Sequence, residues 1–228
     1  MKLLLVASDR MEFQGILSRA ANVRPVELVV DWSRSAQLNG NHVLLVANGA
    51  GARRATAAVD AALAGFRADA VVSMGFCGAL DEGLEIADVI AATAIVGSSA
   101  ACSRCTPAPR ASGPICSIDH VAGTAVEKRQ LRASGAIAVE MEAAGVAERA
   151  ASLSLPLYVI KAVTDLAGET MANDFNAALR FDGHFDTMKV FTGTLRHPTV
   201  RIRELLRLRN RCVQAARVLG EFIADCRF

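Results

Sequence analysis

Short apolar runs alternate with segments of helical spacing along most of the chain. The apolar runs predict strands at Leu3–Ala7, Glu27–Val30, His42–Ala47, DAVVSMGFCGAL, Asp88–Val96, Ile115–Val121, Ile137–Val139 and LYVIKAVTD. The strand in DAVVSMGFCGAL is expected to run into a tight glycine loop at Gly75 and Gly78. The helical spacing predicts helices over Glu12–Ala21, from the ANGAG turn to about Gly65, over Thr124–Arg132, from about Glu140 to Leu153, over 173–195 with a break at RFDGHF, and from about Thr199 to Asp225. Strands that alternate with helices indicate an α/β fold with a mixed, mainly parallel central sheet and helices on both faces.

The 228 residues show neither an internal repeat nor a linker, so we expect one domain over residues 1–228 that ends in a basic helix at 199–225. Residues 97–114, GSSAACSRCTPAPRASGP, are of low complexity and predict an irregular, mobile loop. The apolar N-terminal run stops at Asp9, too early for a signal peptide, and no stretch approaches the ~20 apolar residues of a membrane span. We therefore expect a cytoplasmic protein.

The chain has six cysteines, which in a cytoplasmic protein are expected to be free thiols. Cys102 and Cys105 have the CxxC spacing of a zinc half-site or a redox pair. They have no second matching pair, and His120 is the one nearby histidine. We expect no metal site and interpret the two as loop cysteines without a chemical role.

The net charge of +2 is unevenly distributed, because residues 196–217 contain seven arginines and one acid, Glu204. In the same segment two sets of positions have helical spacing on different sides: apolar Ile202, Leu205, Leu206, Val213, Ala216, Leu219 and Ile223, and basic Arg203, Arg207, Arg211 and Arg217. Such a helix is either packed with a solvated basic face or attracted to anionic lipid at the inner face of a membrane, at ~1 kcal/mol per basic residue. No nucleic-acid recognition module accompanies the arginines, so we expect no nucleic acid partner.

Polar residues gather where the predicted strands end, which is where α/β sheets present ligand-binding groups. They are Glu12 after the first strand, Gly75-Phe76-Cys77-Gly78, the Glu140-Met141-Glu142 segment, and Asp165. Each also has a structural explanation: a first-turn acid for Glu12, an N-cap for Asp165 and a tight turn for the glycines. Glu140 and Glu142 lie roughly 200° apart on a regular helix, so we rank Glu142 above Glu140 as a ligand-binding residue.

The segments SMGFCGAL, AVEMEAAGVAERA and YVIKAVTDLAG, after an N-terminal MEF turn, resemble the purine nucleoside phosphorylase and methylthioadenosine nucleosidase superfamily. The most specific part is VEMEA followed by an apolar strand that ends in Thr-Asp. DFNAALRFDGHF and the arginine-rich C-terminal helix resemble the hopanoid-associated nucleosidases or phosphorylases in particular. The resemblance implies a nucleoside phosphorylase-like domain that cleaves an N-glycosidic bond without a cofactor and assembles as a homo-oligomer.

Carried over residue by residue, the resemblance assigns Glu142 to the ribose 2′- and 3′-hydroxyls, with Met141 packed on the sugar and Glu140 in support. Asp165 is implied as the general acid that protonates the leaving adenine near N7, which requires a partly desolvated setting. Glu12 is implied to position and activate the attacking water. The nucleophile and base side comprises Phe76, Cys77, Gly78, Val121, Ala122 and Thr164. For a phosphorylase, Arg53 or Arg54 beside the ANGAG turn would bind phosphate at a helix N-terminus.

Three departures from the family pattern bear on the substrate. Phe76 stands where the hydrolases usually have a serine, and Val121 where many have an aromatic residue that stacks on adenine. The segment between Leu80 and Ile115 is short, which suggests an open mouth on the 5′ side of the nucleoside. Adenosylhopane, an adenosine with a bulky pentacyclic lipid at 5′, fits that expectation.

Several alternatives stay open at the level of the sequence. The nucleophile is either water or phosphate. The substrate is either adenosylhopane or a smaller purine nucleoside such as methylthioadenosine or S-adenosylhomocysteine. Outside enzymes, the competing interpretations are a non-catalytic nucleoside-binding protein and a scaffold at the membrane surface.

Overall fold

The computed structural model describes residues 1–186, 188–189, 192 and 198–228. The strands are β1 (Lys2–Ala7), β2 (Ala21–Pro25), β3 (Trp32–Leu38), β4 (Asn41–Ala47), β5 (Ala70–Ala79), β6 (Val89–Ile95), β7 (Ala111–Ser117), β8 (Ala138–Glu140) and β9 (Leu157–Asp165). The helices are α1 (Gln14–Leu17), α2 (Ala52–Leu63), α3 (Ala125–Arg132), α4 (Ala143–Ser152), α5 (Phe175–Ala178) and α6 (Pro198–Asp225), and a 3-10 turn (Arg10–Phe13) precedes α1. The chain forms the single α/β domain that the sequence predicts.

The strands form one mixed sheet in the order β2-β3-β4-β1-β5-β8-β7-β6-β9, and β5 also pairs with β9. This second pairing closes β5, β8, β7, β6 and β9 into a ring. At the centre, β1 is parallel to both β4 and β5, and β5 is parallel to β9. The carboxyl ends of β1, β5 and β9 therefore point in the same direction.

Helices cover both faces of the sheet, as predicted. On one face the small residues of α2 and α4, including Ala58 and Ala147, pack against strand residues such as Val71. On the other face the 3-10 turn, α1 and the second half of α6 pack through Phe13, Leu219 and similar residues. The central strands are apolar on both sides because both of their faces are covered.

Two predicted elements near the N-terminus are wrong. Glu27–Val30 is not a strand: Leu28 and Val30 pack at the edge of the core, whereas Val29 between them is 95% exposed. The neighbour of β4 is β3, and the edge strand beyond it, β2, is fully exposed and ends in a proline. The predicted helix Glu12–Ala21 is a 3-10 turn capped by Asp9 and then one helical turn that ends at Leu17.

The predicted loop 97–114 is irregular only as far as Arg110, because Ala111 begins β7. The Ser103 amide donates to the carbonyl of Leu157 at the start of β9, and Thr106 and Arg227 exchange backbone hydrogen bonds. The loop therefore lies toward the end of β9 opposite Asp165. Of the predicted helical segment 173–195, the structure has α5, a turn at 181–183 and helical residues 188–189 and 192, while 187, 190–191 and 193–197 lie outside the described residues.

The long helix α6 has two different halves. In the second half Ala216, Leu219 and Ile223 are buried, as the apolar spacing predicts. In the first half that spacing fails to predict packing, since Ile202 and Leu206 are about half exposed. In the part of the chain that the structure describes, no helix is long and apolar enough to cross a membrane.

Candidate active site

A cavity of about 390 Å³ opens at the carboxyl ends of β1, β5 and β9. It is lined by every residue that the sequence analysis placed in the sugar, base and acid-base positions: Glu12, Phe76, Cys77, Gly78, Val121, Ala122, Glu140, Met141, Glu142, Thr164 and Asp165. Side chains from five distant parts of the chain thus share one space. The remaining wall is largely apolar and comes mainly from Met171, α5, Phe185 and α6, and it also includes the polar side chains of Ser8 and His120.

Glu12 is fixed by the backbone at the ends of two strands. One carboxylate oxygen accepts hydrogen bonds from the Ser8 amide at 2.8 Å and the Asp9 amide at 3.1 Å, and the other accepts from the Phe76 amide at 3.0 Å. Burial raises the pKa of Glu12 above its usual range, although the charge of Lys161 and these amides oppose that rise. A buried, oriented carboxylate of this kind can accept a proton from a water molecule in the cavity.

The two glycines of β5 leave room for carboxylates. A Cβ at Gly75, whose φ is +134°, would lie 2.6 Å from Glu12 Oε1, and a Cβ at Gly78 would lie 2.8 Å from Asp165 Oδ1. The sequence analysis expected a tight glycine loop here, which is wrong, because β5 continues through both glycines to Ala79. In the structure these glycines let the carboxylates of Glu12 and Asp165 lie close to the backbone of β5, and they do not reverse the direction of the chain.

The two glutamates of the VEMEA segment differ in their partners. Glu140 ends β8, and its carboxylate accepts hydrogen bonds from the amides of Glu142 and Ala143 at the start of α4. Glu142 is the N-cap residue of α4, and its carboxylate accepts one hydrogen bond at 3.0 Å, from the Gly51 amide. The predicted helix start at Glu140 is therefore wrong by three residues. Glu142, which the sequence analysis ranks above Glu140 as a ligand-binding residue, has fewer hydrogen-bond partners than Glu140.

Lys161, which the sequence analysis did not single out, lies beneath these carboxylates. Its Nζ is 2.8 Å from Glu140 and 3.8 Å from Glu142, and its side chain is 1% exposed. Burial disfavours the ammonium, but Glu140 and Glu142 outweigh burial and raise the pKa of Lys161 above its usual range. Lys161 lies farther from Glu142, and its charge offsets the effect of burial on that carboxyl only in part. Burial therefore raises the pKa of Glu142 to about 7.

Asp165 is buried at the end of β9, as the expected partly desolvated setting requires, but it also has a cationic partner that the sequence analysis did not expect. The buried ammonium of Lys128 donates a hydrogen bond to its Oδ1, and the Thr164 hydroxyl donates to Oδ2 at 3.2 Å. Lys128 also donates to the carbonyl of Leu166 at 2.8 Å. The carboxylate of Asp165 is therefore half of a buried ion pair at the wall of the cavity.

The thiols near the cavity are not ready nucleophiles. Burial raises the pKa of Cys212 to about 12, and burial together with the charge of Asp165 raises the pKa of Cys77 further. Because the thiolate is the reactive form of cysteine, neither side chain is activated at neutral pH. The cavity wall therefore offers its carboxylates and the His120 imidazole as groups that can exchange protons.

Arg53 and Arg54 lie away from the cavity. The guanidinium of Arg54 is bound to Asp31 at 2.9 Å, and the guanidinium of Arg53 stacks on the Phe181 ring at 4.3 Å. Among the described residues, no arginine or lysine lines the cavity. For either Arg53 or Arg54 to bind phosphate in the cavity, its side chain would therefore have to leave its present partner.

Cys102 and Cys105 are free thiols and lie apart from the cavity. Cys105 contacts Cys226 near the end of α6, and that hydrogen bond lowers the pKa of Cys105 to about 7. Within the described part of the chain, no group of three or more His, Cys, Asp or Glu side chains has the arrangement of a metal site.

Comparison with known proteins agrees with this architecture. The model of the phosphorylase superfamily matches residues 34–111 and 98–182. A 5′-methylthioadenosine/S-adenosylhomocysteine nucleosidase from Neisseria meningitidis, in complex with methylthio-immucillin-A, is 19% identical, with a TM-score of 0.74 over 98% of this chain and 96% of that chain. A mutant nucleosidase from Helicobacter pylori with 5′-methylthioadenosine in the active site is 16% identical, with a TM-score of 0.73 over 97% and 96%.

The superfamily match spans more than half of the chain. It includes the segments that carry Glu140, Glu142, Lys161 and Asp165, whereas Glu12 and α6 lie outside the matched ranges. The chain belongs to the phosphorylase superfamily.

Proposed function

We propose that this protein hydrolyses the N-glycosidic bond of a 5′-substituted adenosine and releases adenine. The observation that carries the proposal is the meeting of Glu12, Glu142 and Asp165 around one cavity. In this proposal Glu142 holds the ribose hydroxyls, Asp165 faces the leaving base, and Glu12 activates the nucleophile. Cleavage develops positive charge on the sugar, which nearby carboxylates stabilise.

Water is the nucleophile in this proposal. Glu12 is buried and held by three backbone amides, so its carboxylate is oriented for a small proton donor. Phosphate would need cationic or amide donors, and the arginines considered for it are bound to Asp31 and Phe181. An anion among three carboxylates would also be repelled.

The substituent at 5′ is proposed to be a large apolar group, as in adenosylhopane. Met171, Phe175, Phe185 and Leu208 form an apolar wall, and Phe181 beyond them is 89% exposed. A small thioether, as in methylthioadenosine, is the second candidate, because solved structures with this fold are methylthioadenosine/S-adenosylhomocysteine nucleosidases.

Adenine release in phosphate-free buffer tests the reaction. We expect turnover of adenosylhopane without phosphate, and a kcat/KM at least tenfold higher than for methylthioadenosine or S-adenosylhomocysteine, since each 1.4 kcal/mol of apolar contact is about tenfold. Turnover that begins only when phosphate is added would refute hydrolysis. Equal kcat/KM values for all three nucleosides would refute the lipid-linked substrate but not the reaction.

The exposed half of α6 supports a second part of the proposal, contact with a membrane surface. Ile202, Leu206 and Val213 lie along one exposed line of the helix, and the basic residues Arg203 and Arg207 lie beside it. Apolar side chains beside arginines fit an interface of acyl chains and anionic headgroups. A lipid-linked nucleoside would be taken up from that surface.

Replacement of Ile202 and Leu206 together by glutamate is expected to abolish co-sedimentation with vesicles that contain phosphatidylglycerol, because it removes apolar contact and adds repulsion. Turnover of soluble methylthioadenosine should change less than twofold, since surface substitutions away from a site have small effects. Val29→Glu, at an apolar position that is 95% exposed and lies outside α6, is the control. Undiminished vesicle binding of the double variant would contradict the membrane proposal.

A further inference from the structure

Lys128 is the one buried residue of α3, a helix whose other side chains are exposed or half-buried. Its ammonium reaches the carboxylate of Asp165 on the cavity wall. Resting on the function proposed above, we propose that Lys128 is the positioning residue that supplies, through Asp165, the proton with which the base leaves. The family resemblance assigned no role to this lysine.

The contacts of Lys128 hold it at the end of β9. Besides Asp165 it donates to the Leu166 carbonyl at 2.8 Å. The start of its helix is attached to the same loop, because the Ala125 amide donates to Thr170 Oγ1 at 3.0 Å and the Met171 amide donates to the Gly123 carbonyl. The loop after β9 and α3 therefore form one unit around the ion pair.

The other titratable groups near Asp165 are less suited to this role. The thiols of Cys77 on β5 and Cys212 on α6 have raised pKa values because they are buried. Arg211 on α6 is bound through both guanidinium nitrogens to Glu169, at 2.7 and 2.9 Å, and this pairing lowers the pKa of Glu169 to about 2. An arginine does not release its proton, whereas a buried lysine does so readily.

A buried ion pair is weak evidence for stability, because apolar residues of similar volume often stabilise a fold as well or better. The ion pair does, however, provide the proton that a leaving base needs. The pair Lys128–Asp165 stores that proton on the ammonium, one hydrogen bond away from the carboxylate.

The step balances as follows in the proposal. An N–H bond of Lys128 breaks as its proton moves to the Asp165 carboxylate, and the C1′–N9 bond breaks as its electron pair moves onto the base. The new Asp165 O–H bond then breaks as the proton moves to N7, so the base leaves as neutral adenine, Asp165 is again a carboxylate and Lys128 is a neutral amine. Water adds to C1′ and gives its proton to Glu12, from which solvent returns a proton to Lys128.

The test compares Lys128→Met and Lys128→Arg with Arg129→Met, a charge-removing control at the next, exposed position of α3. For Lys128→Met we expect kcat/KM for the adenosine substrate to fall about 100-fold at pH 7, the usual contribution of general acid catalysis. The alkaline limb of its pH–rate profile should move toward acid, because the variant has lost the ammonium that supplies the proton. Glu12, Glu142 and His120 also line the cavity and titrate, but their contribution to the profile is common to all variants.

Lys128→Arg separates proton supply from charge and packing. The arginine variant keeps a cation beside Asp165. If Lys128 had a purely structural role, this variant would have a normal kcat/KM. We expect it instead to be as slow as Lys128→Met, because arginine stays protonated. Thermal unfolding and binding of adenine verify that each variant is folded. Wild-type activity of Lys128→Arg, or an unmoved alkaline limb in Lys128→Met, overturns this inference and leaves the proposed function intact. Absence of adenine release by the unaltered protein refutes the proposed function instead.

Discussion

Asp165→Asn is expected to lower kcat for adenine release by about 10²–10⁴-fold, the range that general acid catalysis contributes. The asparagine amide keeps the shape of the side chain and still accepts a hydrogen bond, but it cannot give a proton to the base. Binding of the nucleoside should change little, because Glu142 and the apolar wall hold the ribose and the 5′ group. Single-turnover assays of adenine release, with calorimetric titration of substrate binding, measure the two effects separately.

The matched control is Asp225→Asn, the same change at an exposed position at the end of α6. Denaturation of Asp165→Asn is needed in parallel, because the variant leaves the Lys128 ammonium buried without its carboxylate. A folded Asp165→Asn protein with near-normal kcat would show that the leaving base is protonated elsewhere. Loss of binding together with loss of turnover would favour a non-catalytic, structural role for Asp165.

Lys161→Met is expected to lower the free energy of unfolding by about 3–5 kcal/mol, the usual cost of removing one partner from a buried ion pair. The Lys161 side chain is 1% exposed, and its ammonium offsets the charges of Glu140, Glu142 and Glu12. Methionine fills a similar volume but leaves those carboxylates without a cation. Urea denaturation at pH 7 measures the difference.

The pH dependence of this loss has a definite sign. Burial raises the pKa of Glu142 from 4.5 to about 7, so between these values the folded protein binds a proton that the unfolded chain has released. Stability linked to this group therefore falls as the pH rises through that window. In Lys161→Met the fall should be steeper, and the difference from the original protein should shrink toward pH 4.

Lys189→Met removes the same charge at an exposed position and should change stability by less than about 0.5 kcal/mol. If Lys161→Met and Lys189→Met have equal stability at pH 7, the three carboxylates do not depend on Lys161 for their charge.

The sequence is sufficient to place the acidic residues, because each follows an apolar run at a strand end. Glu12, Glu142 and Asp165 meet in one cavity for that reason. The sequence does not reveal how their charges are balanced, since Lys128 lies on α3 and reaches Asp165 across the chain. One feature of the sequence does indicate a buried cation. Lys161, one of four lysines in the chain, interrupts the otherwise apolar strand LYVIKAVTD.

Errors in the sequence-based elements have physical causes. The apolar run Glu27–Val30 has the pattern of a strand, yet Val29 is 95% exposed. The local pattern does not show whether a neighbouring strand is available for pairing. For α6, continuous helical spacing predicts one packed face, whereas Ile202 and Leu206 lie beyond the sheet that buries Leu219. The true start of α4 depends on Glu140 capping it from the end of a strand, a tertiary arrangement that spacing alone does not predict.

Closure of the sheet through β5 and β9 has a consequence for how this protein can change. Within the ring every strand is hydrogen-bonded to two other strands. The ring carries Phe76–Gly78, Glu140 and Asp165. These groups keep their mutual spacing as long as the ring is intact. By contrast, α5, Phe185 and α6 contribute a wall that belongs to no strand. Substitutions in that wall would change which nucleosides the cavity admits. The groups on the ring would keep their positions, so substrate specificity can change without a change in the chemistry.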